Sequence, residues 1–328
     1  MAILVTGGAG YIGSHTVAEL LDRGEEVVVI DNLLTGHREA LLGGKLYEGD
    51  LRDKALLAKL FSENEIEAVI HFAASSLVGE SMKDPVKYYD NNVYGTQCLL
   101  EAMQQAGVDK IVFSSTAATY GEPEKVPIEE TDRTEPANVY GETKLTMERM
   151  MAWFDKVLGI KYVALRYFNA AGAHASGKIG EDHRPESHLI PLVLQAALKQ
   201  RENIAVFGED YPTEDGTCVR DYIHVSDLAD AHVRAVTYLR SGSASNIFNL
   251  GNGLGFSVKQ VIETAKKVTG LDIPVVVQDR RAGDPAVLVA SSDKARKVLG
   301  WDPQHADLEG IIQSAWSWHS ANPQGYGE

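Results

Sequence analysis

Tyr140 and Lys144 stand four residues apart in a stretch whose apolar spacing predicts a helix from about Asn138 to Leu158, so both side chains share one helical face. A phenol with a pKa of ~10 is a poor base at neutrality, but a neighbouring ammonium favours its phenolate. Lowering that pKa by about three units takes roughly 4 kcal/mol. One or two close positive charges in a site of reduced dielectric can supply this. In FSSTAATYG, Ser114, Ser115 and Thr116 end a β-rich run, and the Thr116 hydroxyl could hydrogen-bond a reacting alcohol. Met147 and Met151, on the same helical face as the pair, read as core packing. A second set of residues is built to hold an anion. Gly7, Gly10 and Gly13 form a G-x-x-G-x-x-G turn between an apolar run and a helical pattern, where backbone amides and the helix dipole can grip a pyrophosphate. Asp31 follows Gly13 by eighteen residues, at the end of the next apolar run. There a carboxylate can accept hydrogen bonds from an adenosine ribose and repel a 2′-phosphate, so NAD is expected over NADP.

These groups need a frame, and the first half of the chain supplies its pattern. The runs AILVT, EVVVI, KLYEG, AVIHFA and KIVFSS alternate with helical spacing such as Lys54 to Phe61 and Tyr88 to Gln104, and YVALRYF from Tyr162 adds a sixth strand. That rhythm predicts an α/β fold of Rossmann type, a doubly wound parallel sheet with helices on both faces, followed by a smaller C-terminal α/β lobe. Ligands of such sheets bind beyond the carboxyl ends of the strands, which is where Thr116 falls. Asp50 and Leu51 in EGDLRD could flank an adenine, and Ala73 and Ala74 in HFAAS leave room for close backbone approach. The expected division is 1–170 for the dinucleotide domain and 171–328 mainly for the second lobe, with YIHVSDLADAHVRAV and NIFNLGNG reading as a strand, helix and strand that rejoin the sheet. The C-terminal NPQGYGE reads as a frayed tail.

Lys and Arg total 31 against 46 Asp and Glu, a net charge of −15, which gives no footprint for nucleic acid or an anionic membrane. An anionic ligand must therefore be met by local groups. The two cysteines, Cys98 and Cys218, make no disulfide framework or zinc pattern, which fits a reducing cytoplasm. No apolar run approaches membrane-spanning length, and the start of the chain lacks the pattern of a signal peptide. The ten histidines are scattered without a metal-binding spacing, so no metal is expected.

TGGAGYIGSH, HFAASSLVGES, YYDNNVYGT, SSTAATYG, YGETK, LRYFNAAGAH, DYPTEDGTCVRDYIHV and RRAGDP together resemble the extended short-chain dehydrogenase/reductase family, and within it the UDP-hexose 4-epimerases, over nearly the whole chain. The resemblance implies that Thr116, Tyr140 and Lys144 are the catalytic set. It implies that Tyr140 takes the 4-hydroxyl proton while C4 gives hydride to a tightly held NAD, and that the 4-keto sugar turns and takes the hydride back on its other face. Implied NAD contacts are Tyr11, Ile12, Asp31, Asn32, Asp50, Leu51, Phe72, Ala73, Ala74, Asn91, Ser114, Tyr140, Lys144 and Tyr167. Where some members carry a lysine after HFAG, this sequence has HFAAS and then Ser76.

For the substrate, the same resemblance implies Phe168 and Asn169 near the sugar and phosphate, His188 and Leu189 at the start of a helix, and Ala205, Val206 and Phe207 around the uracil. Arg220, Arg281 and Asp284 are implied at the diphosphate and ribose, where guanidinium groups offer bidentate donors. His188 falls where many members carry asparagine. Leu288 falls where galactose-restricted members carry tyrosine, so a wider pocket that also accepts N-acetylated UDP-hexoses is expected. A homodimer through the Tyr88–Gln104 and Asn138–Leu158 helices is implied by resemblance alone. The alternatives are a nucleotide-sugar dehydratase or dehydrogenase of the same fold, and a non-catalytic NAD-sensing regulator. Ala117 and Ala118 stand where a dehydratase places an acid pair, and the intact Thr116, Tyr140 and Lys144 argue against the regulator.

Overall fold

The computed structural model describes residues 1–281 and 284–327, so Ala282 and Gly283 of RRAGDP and the terminal Glu328 lie outside the described residues. The first half comprises β1 (Ala2–Thr6), β2 (Glu26–Asp31), β3 (Lys45–Glu48), β4 (Ile66–His71), β5 (Lys110–Ser114) and β6 (Lys161–Tyr167). Its helices are α1 (Tyr11–Asp22), α2 (Lys54–Glu63), the short α3 (Val78–Ser81) and α4 (Pro85–Tyr88), α5 (Gly95–Ala106) and α6 (Val139–Leu158). The second half comprises β7 (Asn169–Ala171), β8 (Ile204–Phe207), β9 (Val219–Arg220), β10 (Tyr222–His224), β11 (Asn246–Leu250), β12 (Phe256–Ser257), β13 (Val275–Gln278) and β14 (Val287–Leu288). With them come α7 (Leu189–Ala197), α8 (Val225–Arg240), α9 (Val258–Thr269), α10 (Asp293–Leu299) and α11 (Leu308–Ala321).

Seven strands form one parallel sheet in the order β11-β6-β5-β4-β1-β2-β3, the expected doubly wound topology with one strand more than the first half alone provides. That strand, β11, pairs in register with β6, Asn246 opposite Val163 through Leu250 opposite Tyr167, whereas β10, read from the sequence as also rejoining the sheet, pairs with β7 in a separate two-stranded sheet because the chain turns into it directly from β9. Alternation along each strand sends Ile3, Val5, Val27 and Val29 to one face, where Val17 and Leu20 of α1 meet Leu228, Val233 and Val236 of α8. Ala2, Leu4, Val28 and Ile30 point the other way, onto Leu57 and Leu60 of α2, Leu99 and Met103 of α5 and Met147 and Met151 of α6. Each fully buried Leu, Ile or Val contributes roughly 1.5–3 kcal/mol relative to exposure, so the two faces hold the sheet as a rigid platform.

The helices that carry the site are bounded by side-chain chemistry. Asn138 accepts a hydrogen bond from the Gly141 amide at the start of α6, and Gly159, with φ of 77°, ends it. The second lobe has its own core, in which α7, α9 and α11 close around Ile204, Val206, Ile262 and Ile312. The C-terminal segment is not frayed, which corrects the sequence reading. Tyr326 receives a hydrogen bond from the Gly180 amide on its hydroxyl and donates its own amide to Asp182, while Arg184 donates to the carbonyls of Gln324 and Gly327. An aromatic ring with a polar tip, three residues beyond a proline, gave the tail an anchor that its glycines disguised.

Candidate active site

The glycine turn is shaped by close approach. Gly7 has φ of 68°, and a β-carbon there would come 2.6 Å from the Ala73 nitrogen, while one at Gly13 would come 2.2 Å from the Gly7 carbonyl oxygen. The amides of Phe72 and Ala73 both donate to the Thr6 carbonyl, at 2.9 and 3.2 Å, which seats the end of β4 against the turn. Gly10 precedes the twelve-residue α1, whose first turn has no side-chain cap and no acidic residue, leaving its leading amides for a ligand anion. This arrangement fits a dinucleotide pyrophosphate. Asp31 is buried beside it and accepts hydrogen bonds from the amides of Ala9 and Leu33, each at 2.9 Å, so its carboxylate also braces the turn. Asn32 donates to Asp50 at 3.2 Å, and hydrogen bonds from Arg52 hold the Asp50 carboxyl down at about 2. Leu51 packs into the sheet core, and Tyr11 spends its hydroxyl on the Gly172 carbonyl at 2.6 Å. Ile12 is half-buried against the core on the α1 face.

Two strand ends and one helix converge on the chemistry. Thr116, just past β5, caps a short turn by accepting from the Ala118 amide at 3.1 Å, and its side chain lies beside the Tyr140 phenol. Lys144, one turn along α6, donates to the Ser114 carbonyl at 2.8 Å, with its Nζ 5.9 Å from the centre of the Tyr140 ring. The Ser114 hydroxyl meets the Tyr167 hydroxyl at the end of β6. Thr116, Tyr140 and Lys144, read from spacing, are therefore neighbours. Burial pushes the Tyr140 phenol up to about 12, opposed only in part by the Thr116 side chain. Burial likewise drives the Lys144 ammonium down to about 7, against the pull of Glu148. This reverses the sequence argument, in which the ammonium lowered the phenol. Desolvation penalises the charged form of both groups, and it outweighs their attraction across 5.9 Å.

Beneath this layer lie residues that sequence reasoning missed. Glu148, four positions beyond Lys144 on α6, is buried and forms a two-pronged ion pair with Arg166 of β6, at 2.9 and 2.6 Å, and accepts from the Ser115 hydroxyl. Arg166 stacks 4.8 Å from the Tyr120 ring centre. Asn92 is fully buried in a π-helical turn, residues Tyr89–Tyr94, and ties Ser75 to Thr143 of α6 through its amide, while Asn91 beside it donates to the Ser75 hydroxyl at 3.2 Å. For Glu148, Arg166 and Asn92, the i, i+4 spacing of Lys144 and Glu148 was the only sequence signal.

The second lobe brings its predicted residues alongside. Leu288 lies opposite Arg220 where β14 pairs with β9, and it packs with Phe168 against Ala117, immediately after Thr116. Arg220 is paired with Asp284, and Arg281 lies 3.8 Å from the Phe207 ring centre. Asn169 donates its amide to the Asp221 carbonyl at 3.1 Å. Burial raises the Asp221 carboxyl to about 6 despite three backbone donors. Two predicted positions are corrected. Val206 turns into the lobe core because β8 alternates buried and half-buried residues, leaving Ala205 and Phe207 facing outward with Val206 offering only its backbone. His188, exposed just before α7, has its Nδ1 engaged by Glu181, while Leu189 packs on the lobe core. Ala74 is half-buried and Ser76 exposed in the segment after β4.

The chain matches the family described as the NAD dependent epimerase/dehydratase family over residues 3–251. It is 60% identical to UDP-glucose 4-epimerase of Halalkalibacterium halodurans over 326 residues, covering 99% of this chain and 98% of that one. A crystal structure of UDP-glucose 4-epimerase superposes with a TM-score of 0.99 at 57% identity, covering all of both chains. The UDP-Glc/GlcNAc 4-epimerase of Campylobacter jejuni superposes with a TM-score of 0.86 at 44% identity, covering 98% of this chain and 99% of that one. With the glycine turn, the Tyr140–Lys144 pair and the seven-stranded sheet in place, the chain belongs to the NAD dependent epimerase/dehydratase family.

Proposed function

We propose that this chain inverts C4 of UDP-galactose and UDP-glucose through a 4-keto sugar, using an NAD that stays bound. The observation that carries the reading is the contact of Thr116 with Tyr140, one helical turn from Lys144, beside the glycine turn and with alanines at positions 117 and 118. Bound NAD supplies the hydride acceptor at C4 and a positive nicotinamide ring. Thr116 orients the 4-hydroxyl, and the Tyr140 oxygen takes its proton and later returns it. Tyr140 at about 12 must be brought down some five units to act as a base at neutrality, which is about 7 kcal/mol of differential stabilisation. Its position in a buried site makes each added positive charge effective. With Ala117 and Ala118 after Thr116, no acid–base pair stands there to eliminate water, which sets the dehydratase aside.

The role assignments extend outward from that centre. Gly7, Gly10, Gly13, Tyr11 and Ile12 hold the pyrophosphate by backbone, Asp31 and Asn32 the adenosine ribose, Asp50 and Leu51 the adenine. Phe72, Ala73, Ala74, Asn91, Ser114 and Tyr167 complete the nicotinamide side. Phe168, Asn169, Leu189, Ala205, Phe207, Arg220, Arg281, Asp284 and Leu288 bind the UDP-sugar. In this division residues 1–170 with β11 bind NAD, and 171–328 mainly bind the UDP-sugar. Leu288, packed with Phe168 beside Ala117, is smaller than the tyrosine of galactose-restricted enzymes and so favours a pocket that also takes an N-acetyl group, and the likeness to the Campylobacter jejuni enzyme supports that breadth. A homodimer through α5 and α6 is supported by Trp153 and Val157, one turn apart on α6 and 61% and 69% exposed, with Tyr89 and Tyr94 exposed nearby. None of the described helices is long and apolar enough to cross a membrane, and we place the enzyme in the cytoplasm.

The test is purified protein, without added cofactor, incubated with UDP-galactose and separately with UDP-N-acetylglucosamine, with products resolved by proton NMR. UDP-glucose from the first and UDP-N-acetylgalactosamine from the second are expected. No turnover of UDP-galactose, even after NAD is supplied, overturns the reading.

A further inference from the structure

The segment between β7 and α7 gathers four ionisable side chains that the sequence reading treated as unrelated. Glu181, His183, Glu186 and His188 each offer one donor atom, and these four atoms lie within 4.8 Å of one another. Glu181 is buried, and both imidazoles turn Nδ1 towards its Oε1, His183 at 3.2 Å and His188 in direct contact. His183 Nδ1 also lies 3.7 Å from Glu186 Oε2. The other Glu186 oxygen accepts the amides of Ser187 and His188, at 2.7 and 2.8 Å, so the loop's own backbone fixes that carboxylate with Oε2 facing inward. Among the described residues, no lysine or arginine pairs with Glu181 or Glu186. Among the described residues, the two carboxylates, one of them buried, therefore meet cationic partners only in the two imidazoles of the loop.

We propose that Glu181, His183, Glu186 and His188 hold one divalent transition-metal ion, with zinc as the best fit. Two nitrogen and two carboxylate donors suit a four-coordinate zinc site, whereas magnesium and calcium call for oxygen donors throughout. Zinc–ligand bonds of about 2.0–2.1 Å place tetrahedral donors roughly 3.4 Å apart. The 3.2 and 3.7 Å separations around His183 already bracket that spacing. The ion would replace the protons shared between the imidazoles and Glu181, so binding releases protons to solvent.

The place of the cluster defines what the ion does. The His183 ring meets the edge of Tyr11, the first residue of α1, at 6.1 Å between centres, and His188 immediately precedes α7. Asp182 and Arg184, interleaved with the ligands, grip Tyr326, Gln324 and Gly327 of the C-terminal segment. One ion at this point would pin the start of α1, the start of α7 and the chain end to a single loop. The role is structural, and the inference stands apart from the catalytic reading because its readouts need no turnover.

The experiment titrates cobalt(II), then zinc, into chelator-stripped protein that retains NAD, following the visible absorption of cobalt, calorimetric stoichiometry and the thermal midpoint. One equivalent per chain is expected, with a four-coordinate cobalt spectrum that zinc displaces and a rise in thermal midpoint. H183Q and E181Q should each weaken binding about 100-fold or more, whereas H305Q, at an exposed histidine away from the loop, should not. If E181Q fails to fold, H183Q decides. Absence of saturable one-equivalent binding, or binding that H183Q leaves unchanged, overturns the proposal.

Discussion

Around Tyr140 and Lys144 the polar groups are buried and tied to a twenty-residue helix and the ends of long strands; around Arg220 and Arg281 they sit on two-residue strands and an exposed loop. The first region holds its geometry through α6, β5 and β6 and sets proton affinities by excluding water. The second works by charge in partial contact with solvent, where screening is strong. The contrast teaches where each property of the enzyme is controlled: the rate of the chemical step in the dry half, and affinity and its salt dependence in the wet half.

The most severe way to break this comparison is Tyr140→Phe. It should lower kcat by about 10³-fold while NAD content and circular dichroism stay as in the parent; a loss under tenfold would move the proton transfer elsewhere. Glu148→Gln attacks the support beneath the dry half. It leaves Arg166 as an uncompensated buried charge, so urea denaturation should show about 3–5 kcal/mol less stability, and a loss under 1 kcal/mol would mean the pair is dispensable. In the wet half, Arg220→Met removes a charge-assisted contact worth about 1.5–3 kcal/mol, which corresponds to a KM for UDP-galactose raised roughly 10–100-fold. Its kcat should change little, and the dependence of KM on salt should flatten. An equal fall in kcat would show that the two halves are not separable.

A fourth variant sharpens the electrostatic side. Burial puts Lys144 at about 7 in the folded protein, below the ~10.4 of an unfolded lysine. Between those values the unfolded chain binds the extra proton, so stability rises with pH by up to about 1.4 kcal/mol per unit. Below pH 7 the burial penalty is fully present; it is relieved as pH climbs towards 10. Lys144→Met removes that slope, and the stability difference between variant and parent should change sign or shift in favour of the parent as pH rises. Parallel curves would mean that Lys144 stays charged inside the fold.

Local pattern carried the frame and the chemistry far. Strand, glycine turn and helix are contiguous, and Tyr140 and Lys144 lie one turn apart, so both were legible from periodicity and spacing. The Glu148–Arg166 pair was not, because its partners sit on different elements and each alone resembles a surface residue. Val206 shows the limit of an unanchored register: on a four-residue strand, only packing against α7 and α9 decides which alternate residues face in. The histidines of the 181–188 loop looked scattered because two of them become neighbours only after the chain folds back on a buried glutamate. The proton affinity of Tyr140 was misjudged for a related reason. Sequence names the charges, but the depth of burial that sets their cost belongs to the assembled core.

The seventh strand carries a consequence for how the protein is made. β11 completes the sheet from residues 246–250, and α8 lies on α1, with Arg23 paired to Asp230 and Arg240 to Glu25 and Glu67. At synthesis rates of about 5–20 residues per second, α1 emerges roughly 10–45 s before its cover. Throughout that interval Val17 and Leu20 have no partner helix, and the growing chain is a half-clothed sheet. A ribosome-bound fragment stopped short of residue 250 should therefore recruit a holdase chaperone, whereas the released full-length chain should not.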